Sequence, residues 1–149
     1  MKTILVVDDD EIMLELIARF LDHLPIGLSV LLAGNGAEAI DVLKSTKVDL
    51  VLTDLSMPVM DGFELLAYIS DKHPDMKNIA MTGLQSEDVY EKLRFLGIRH
   101  CMEKPFSVKN LNEKLIQIMG NDTEEQEPVY AARQDNKLKP ALIKGVFLP

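Results

Sequence analysis

Cysteine is nearly missing from this chain. Cys101 stands alone, so no internal disulfide framework exists and a reducing compartment such as the cytoplasm is the simplest expectation. Tryptophan is absent. Long apolar runs are absent too: the best candidate, Leu24 to Ala33, is broken by Pro25 and Gly27 and falls short of the roughly 18 residues a spanning helix needs. Met1-Lys2 leads into acids within seven residues, too soon for the apolar region of a signal peptide. Basic residues are outnumbered, 16 Lys and Arg against 24 Asp and Glu. The resulting charge of −8 argues against nucleic acid as a direct partner and against an anionic membrane surface. No GxGxxG or GxxxxGK[ST] pattern occurs, so Gly34-Asn35-Gly36 is turn chemistry rather than a phosphate loop.

What is present is an alternation of strand-like and helix-like segments. Strands are expected at Ile4–Val7, Leu28–Leu32, Val48–Thr53, Asn78–Thr82 and Ile98–Met102. A helix follows each. The first runs from Glu11 to Leu24 with apolar residues recurring at Ile12, Leu16, Phe20 and Leu24, and ends at Pro25. The second spans Ala37–Lys44, and the third carries Phe63, Leu66 and Ile69 and fails before Pro74. The fourth opens at Ser86, turns Val89, Leu93 and Leu96 inward and ends at Gly97; the fifth is capped by Ser107 and buries Leu111, Leu115, Ile118 and Met119. Five βα units with right-handed crossovers make a doubly wound α/β fold, a parallel sheet with helices on both faces. One domain is expected over residues 1–120. From Asn121 to Pro128 the chain turns acidic and helix-breaking, which reads as a linker, and 121–149 is a linker or tail. The Ala141–Leu148 stretch either packs on the domain or on a neighbouring chain, or belongs to a connection leading to an output domain.

Apolar runs in this pattern stop at charged residues: Val6-Val7-Asp8-Asp9, Leu50-Val51-Leu52-Thr53-Asp54 and Met102-Glu103-Lys104-Pro105. Residues just past buried parallel strands emerge at the sheet's carboxyl edge, where open α/β folds bind ligands. Acids gathered there repel one another unless a cation joins them. That points to a divalent-metal site beside something anionic that pairs with Lys104. Each residue has a plainer reading by itself: Asp10 and Glu11 start a helix, Thr82 is a strand-end hydroxyl, and Lys104 is a solvated lysine. His23, His73 and His100 form no ligand spacing, and Cys101 reads as a core thiol.

Asp8-Asp9, Asp54 with Met57-Pro58-x-x-Asp61-Gly62, Thr82-Gly83 and Lys104-Pro105 follow, in order, the ends of the first, third, fourth and fifth expected strands. In this the chain resembles the response-regulator receiver domains of two-component signalling, over residues 1 to about 120. The resemblance implies a flavodoxin-like strand order 2-1-3-4-5. It implies Asp54 as phosphoacceptor, with Lys104 and Thr82 contacting the phosphoryl group. Mg²⁺, with Mn²⁺ as a substitute, would be held by Asp8, Asp9, Asp54 and the Ser56 carbonyl. The implied donor is a phosphohistidine on a sensor histidine kinase or phosphotransfer protein. A homodimer would use the face of the fourth helix, fifth strand and fifth helix. Ser56 and Leu84 would tune phosphoryl lifetime, and the Lys104-Pro105 bond would be cis. The clearest departure is Cys101, which stands where the family places an aromatic switch residue. Two alternatives compete: a pseudo-receiver that binds without being phosphorylated, and a phosphatase like the haloacid dehalogenases with Asp8 as nucleophile. The second is weakened by Ile12, which stands where that family's motif has Thr or Val.

Overall fold

The structure is a computed structural model, and it describes residues 1–120; the expectations for 121–149 lie outside the described residues. The elements alternate throughout: β1 (Lys2–Val7), α1 (Glu11–Asp22), β2 (Leu28–Ala33), α2 (Gly36–Ser45), β3 (Leu50–Asp54), α3 (Gly62–Lys72), β4 (Lys77–Thr82), α4 (Glu87–Phe95), β5 (Cys101–Glu103) and α5 (Val108–Gly120). The strands form one five-stranded parallel sheet in the order β2-β1-β3-β4-β5, as the resemblance implied. By contacts the chain divides into two compact units at the middle of β4, Met1–Ala80 and the residues from Met81 on.

In the first unit β1 pairs with β2 from Lys2↔Leu28 to Val7↔Ala33, and with β3 from Ile4↔Leu50 to Val7↔Thr53. Ile4 to Val7 and Leu50 to Thr53 are all fully buried, which explains why these runs show no polar alternation. Alternate side chains serve opposite faces. Leu5, Val7 and Val51 pack with Ala39 and Leu43 of α2 and with Leu65 and Ile69 of α3. Each such buried Leu or Ile contributes about 1.5–3 kcal/mol.

Helix α1 buries Leu14, Ile17 and Leu21. Ile12 and Leu16, two of the residues whose recurrence marked the helix, are 72% and 51% exposed. The helix also stops at Asp22, two residues short of Leu24.

In the second unit α4 ends in a Schellman turn. Gly97 takes φ +74°, Gly97 N–H donates to Arg94 O at 3.0 Å, and Ile98 N–H donates to Leu93 O at 2.9 Å. Those bonds hold Ile98 in the helix cap, so β5 begins at Cys101 rather than at Ile98. Ser86 caps α4 through Val89 N–H at 3.3 Å, and Ser107 receives Asn110 N–H at 3.0 Å, as their sequence positions suggested. The buried residues of α4 are Tyr90 and Leu93, whereas Val89 and Leu96 are half-buried. On α5, Leu111, Leu115 and Ile118 are buried and Met119 is half-buried.

Candidate functional site

Two strand ends in the first unit carry the acids. Asp8 follows β1 directly, and its N–H extends the ladder by donating to Ala33 O at 3.1 Å. Its carboxylate is buried and accepts from Asp10 N–H at 3.0 Å. Asp54 is the last residue of β3 and also buried, while Asp9 is exposed. One carboxylate oxygen from each of Asp8, Asp9 and Asp54 lies within 4.8 Å of the others. Among the described residues this is the one such group of potential metal ligands. Asp10 stays outside it: its carboxylate caps α1, accepting from Ile12 N–H at 3.0 Å and Met13 N–H at 3.3 Å. The second acid of an Asp8-x-Asp10 pair is thus spent on the helix, which removes support from the dehalogenase-like reading.

Three like charges this close attract a cation strongly. An all-oxygen set suits a hard ion such as Mg²⁺. Mg²⁺ takes its ligands at about 2.1 Å, so carboxylate oxygens gathered this closely fit a site that such an ion would share with water.

The backbone around Asp54 is closely fitted. Thr53 Oγ1 donates to Asp54 O at 2.9 Å, and Gly62 N–H, at the start of α3, donates to Leu55 O at 2.9 Å. A Cβ on Gly62 would sit 2.1 Å from Asp54 O, so only glycine lets α3 start there. Asp61 caps that helix, accepting from Glu64 N–H at 2.9 Å. Between β3 and α3, Met60 N–H donates to Pro58 O at 2.8 Å across Val59, whose φ is +67°. This is a γ-turn of the positive-φ kind, a rare conformation for a β-branched residue. Met60 O then accepts from Gly36 N–H at 3.1 Å, tying the loop to α2. Ser56 is exposed at the start of this loop, two residues past Asp54.

In the second unit Thr82 is the buried last residue of β4, and Lys104 follows β5. Lys104 N–H donates to Thr82 O at 2.7 Å, so the two sit side by side on neighbouring strand ends. The Lys104-Pro105 bond is cis. Thr82 Oγ1 is engaged twice with one residue: it donates to Leu84 O and accepts from Leu84 N–H, each at 3.0 Å. Leu84 itself is 66% exposed, and Cys101 is buried.

Sequence reasoning missed two residues here. Glu103, read as lying past the apolar run, is the buried last residue of β5. Its Oε1 accepts from the Tyr90 hydroxyl and its Oε2 from Gln85 Nε2. These partners lie 13 and 18 residues away, so no local pattern announces them. Nearby, burial first and then the charges of Lys114 and Arg99 push His100 down to a pKa of about 4.

The family model for the response regulator receiver domain matches residues 4–116. The chain belongs to the response regulator receiver family. Among solved structures, this receiver is similar to a CheY-like response regulator receiver domain protein from Methanospirillum hungatei JF-1, with 30% identity and a TM-score of 0.74, covering 78% of this chain and 92% of that one. A two-component response regulator from Clostridium difficile is 24% identical with a TM-score of 0.77, covering 83% and 100%, and bears on the fold. Among curated relatives, the Escherichia coli DNA-binding transcriptional regulator NtrC is 32% identical over 123 residues, 83% of this chain and 26% of NtrC. The Vibrio harveyi autoinducer 1 sensor kinase/phosphatase LuxN is 34% identical over 113 residues, 76% of this chain and 13% of LuxN. The receiver therefore spans a third or less of the length of these relatives. Among the described residues, no helix is long and apolar enough to cross a membrane.

Proposed function

We propose that this receiver accepts a phosphoryl group on Asp54 in a Mg²⁺-dependent reaction. The observation that carries the reading is the cluster of Asp8, Asp9 and Asp54 at the ends of two adjacent strands. Asp8, Asp9, Asp54 and the Ser56 carbonyl would hold the ion, which would screen the acids from the incoming anion. An Asp54 oxygen attacks phosphorus, the P–N bond of a donor phosphohistidine breaks, and its electron pair leaves with the imidazole. Lys104 contributes a compact positive charge to one phosphoryl oxygen and the Thr82 hydroxyl a hydrogen bond to another, since phosphoryl transfer is helped chiefly by positioning and electrostatics. The backbone bond between Lys104 and Thr82 supports their acting together.

The donor is a sensor histidine kinase or phosphotransfer protein of the cytoplasm. The face of α4, β5 and α5 serves as the output or dimer surface.

Incubation with acetyl phosphate and Mg²⁺, followed by a phosphate-affinity gel and peptide mapping, tests the reading. Label is expected on Asp54, lost in Asp54→Asn and in the presence of EDTA. Label on Asp8, or label that persists without a divalent ion, overturns it.

A further inference from the structure

A carboxylate buried as deeply as Glu103 has to be satisfied oxygen by oxygen. Here each oxygen has its own donor, the Tyr90 hydroxyl and the Gln85 amide. The two donors flank Ser86, the cap of α4: Gln85 lies just before it and Tyr90 one turn after. One anion thus pins both the entry and the first turn of α4 to the end of β5. Glu103 and Cys101 share a face of β5 by the period of two, and Lys104 takes the other. A small thiol at Cys101 demands little room on the face that Tyr90 reaches.

The segment from Thr82 to Gln85 links this clamp to the strand ends. The Thr82 hydroxyl donates to Leu84 O. It has one proton, so it cannot donate to a phosphoryl oxygen without giving up that bond. Doing so frees the turn that sets the path into Gln85.

We infer that Glu103 is a positioning residue that couples Thr82 to α4. Its carboxylate holds α4 in place while Thr82 bonds Leu84. When the hydroxyl turns to a phosphoryl oxygen, the Thr82–Gln85 segment shifts, Gln85 leaves Glu103, and the hold on Tyr90 loosens. The inference rests on the phosphoacceptor reading above.

Linkage fixes the sign of its test. An interaction present only in the resting arrangement opposes the activated one, so removing it raises affinity for an activating ligand. General damage to the fold lowers that affinity. Beryllofluoride with Mg²⁺, a stand-in for the phosphoryl group, is the probe, read by backbone amide NMR. In Tyr90→Phe, amides of α4 are expected to move, without ligand, toward their positions in the beryllofluoride-bound wild type. Apparent affinity for beryllofluoride is expected to rise about fivefold. Gln85→Ala reads the other oxygen from an exposed position that leaves the core intact, and the same direction is expected. If the wild type binds beryllofluoride while both variants keep wild-type affinity and α4 shifts, or bind it more weakly, the coupling role of Glu103 is overturned and the phosphoacceptor reading stands. If the wild type binds none, both fall.

Discussion

Asp9 is the member of the acidic cluster that water reaches, and it bears a cost the fold would shed without it. Three carboxylates within 4.8 Å repel in the absence of a cation. Asp9→Asn removes one charge at an exposed position and leaves the core untouched. It is expected to stabilise the Mg²⁺-free protein by about 1 kcal/mol, after screening by solvent, in urea unfolding. The same change is expected to weaken Mg²⁺ binding at least tenfold by titration. His100 offers a second test. Its folded pKa of about 4 lies below the ordinary 6.5, because the ring is buried and faces Lys114 and Arg99. Its buried Nδ1 has no hydrogen-bond partner among the described residues. As pH falls below 6.5 the unfolded chain takes up this proton first, so stability present above 6.5 is lost progressively toward pH 4. The urea midpoint of the wild type should therefore drop more between pH 7 and pH 5 than that of His100→Gln, in which this titration is gone.

Elements were legible where one signal dominated and misread where two overlapped. β1 and β3 are apolar runs buried on both faces, and nothing else such short runs followed by acids could form fits as well. α1 carries Ile12, Met13, Leu14, Leu16, Ile17, Phe20 and Leu21, so two stripes satisfy helical spacing at once. Only packing against β1 and β2 selects Leu14, Ile17 and Leu21. On α4 the pair Tyr90 and Leu93, three apart, was the available cue to the buried face, but Val89 and Leu96 offered a rival spacing. The Schellman turn that took Ile98 away from β5 was foreshadowed by Gly97, though not its reach. The loop between β3 and α3 bears its own testable strain. Val59 at φ +67° costs on the order of 1–3 kcal/mol, part of which glycine would recover. Val59→Gly, at a side chain 83% exposed, is expected to raise the thermal midpoint by a few degrees in calorimetry.

At the scale of the whole molecule, the sheet order is the one the family resemblance implied, and Asp8, Asp9 and Asp54 gather as the acids ending apolar runs suggested. What stayed hidden was non-local: the Glu103 clamp joins residues whose meeting depends on the completed fold. The proposed ion ties function to folding as well. A ligand that binds only the folded state stabilises it by about 2.7 kcal/mol at a hundredfold excess over Kd. Mg²⁺ is thus expected to raise the melting temperature by several degrees, EDTA to reverse this, and Asp54→Ala to abolish the response in differential scanning fluorimetry with an external dye.

Gly62 carries a lesson for how this domain tolerates change. The backbone of Asp54 is braced from behind by the start of α3, which leaves no space for a methyl group at Asp54 O. Side chains at the exposed loop positions 56, 58 and 59 can therefore vary without disturbing that brace. A library that randomises residues 56–60 together with 62, selected for signalling, should return survivors diverse across the loop yet uniform at its last position, where the smallest residue is the irreplaceable one.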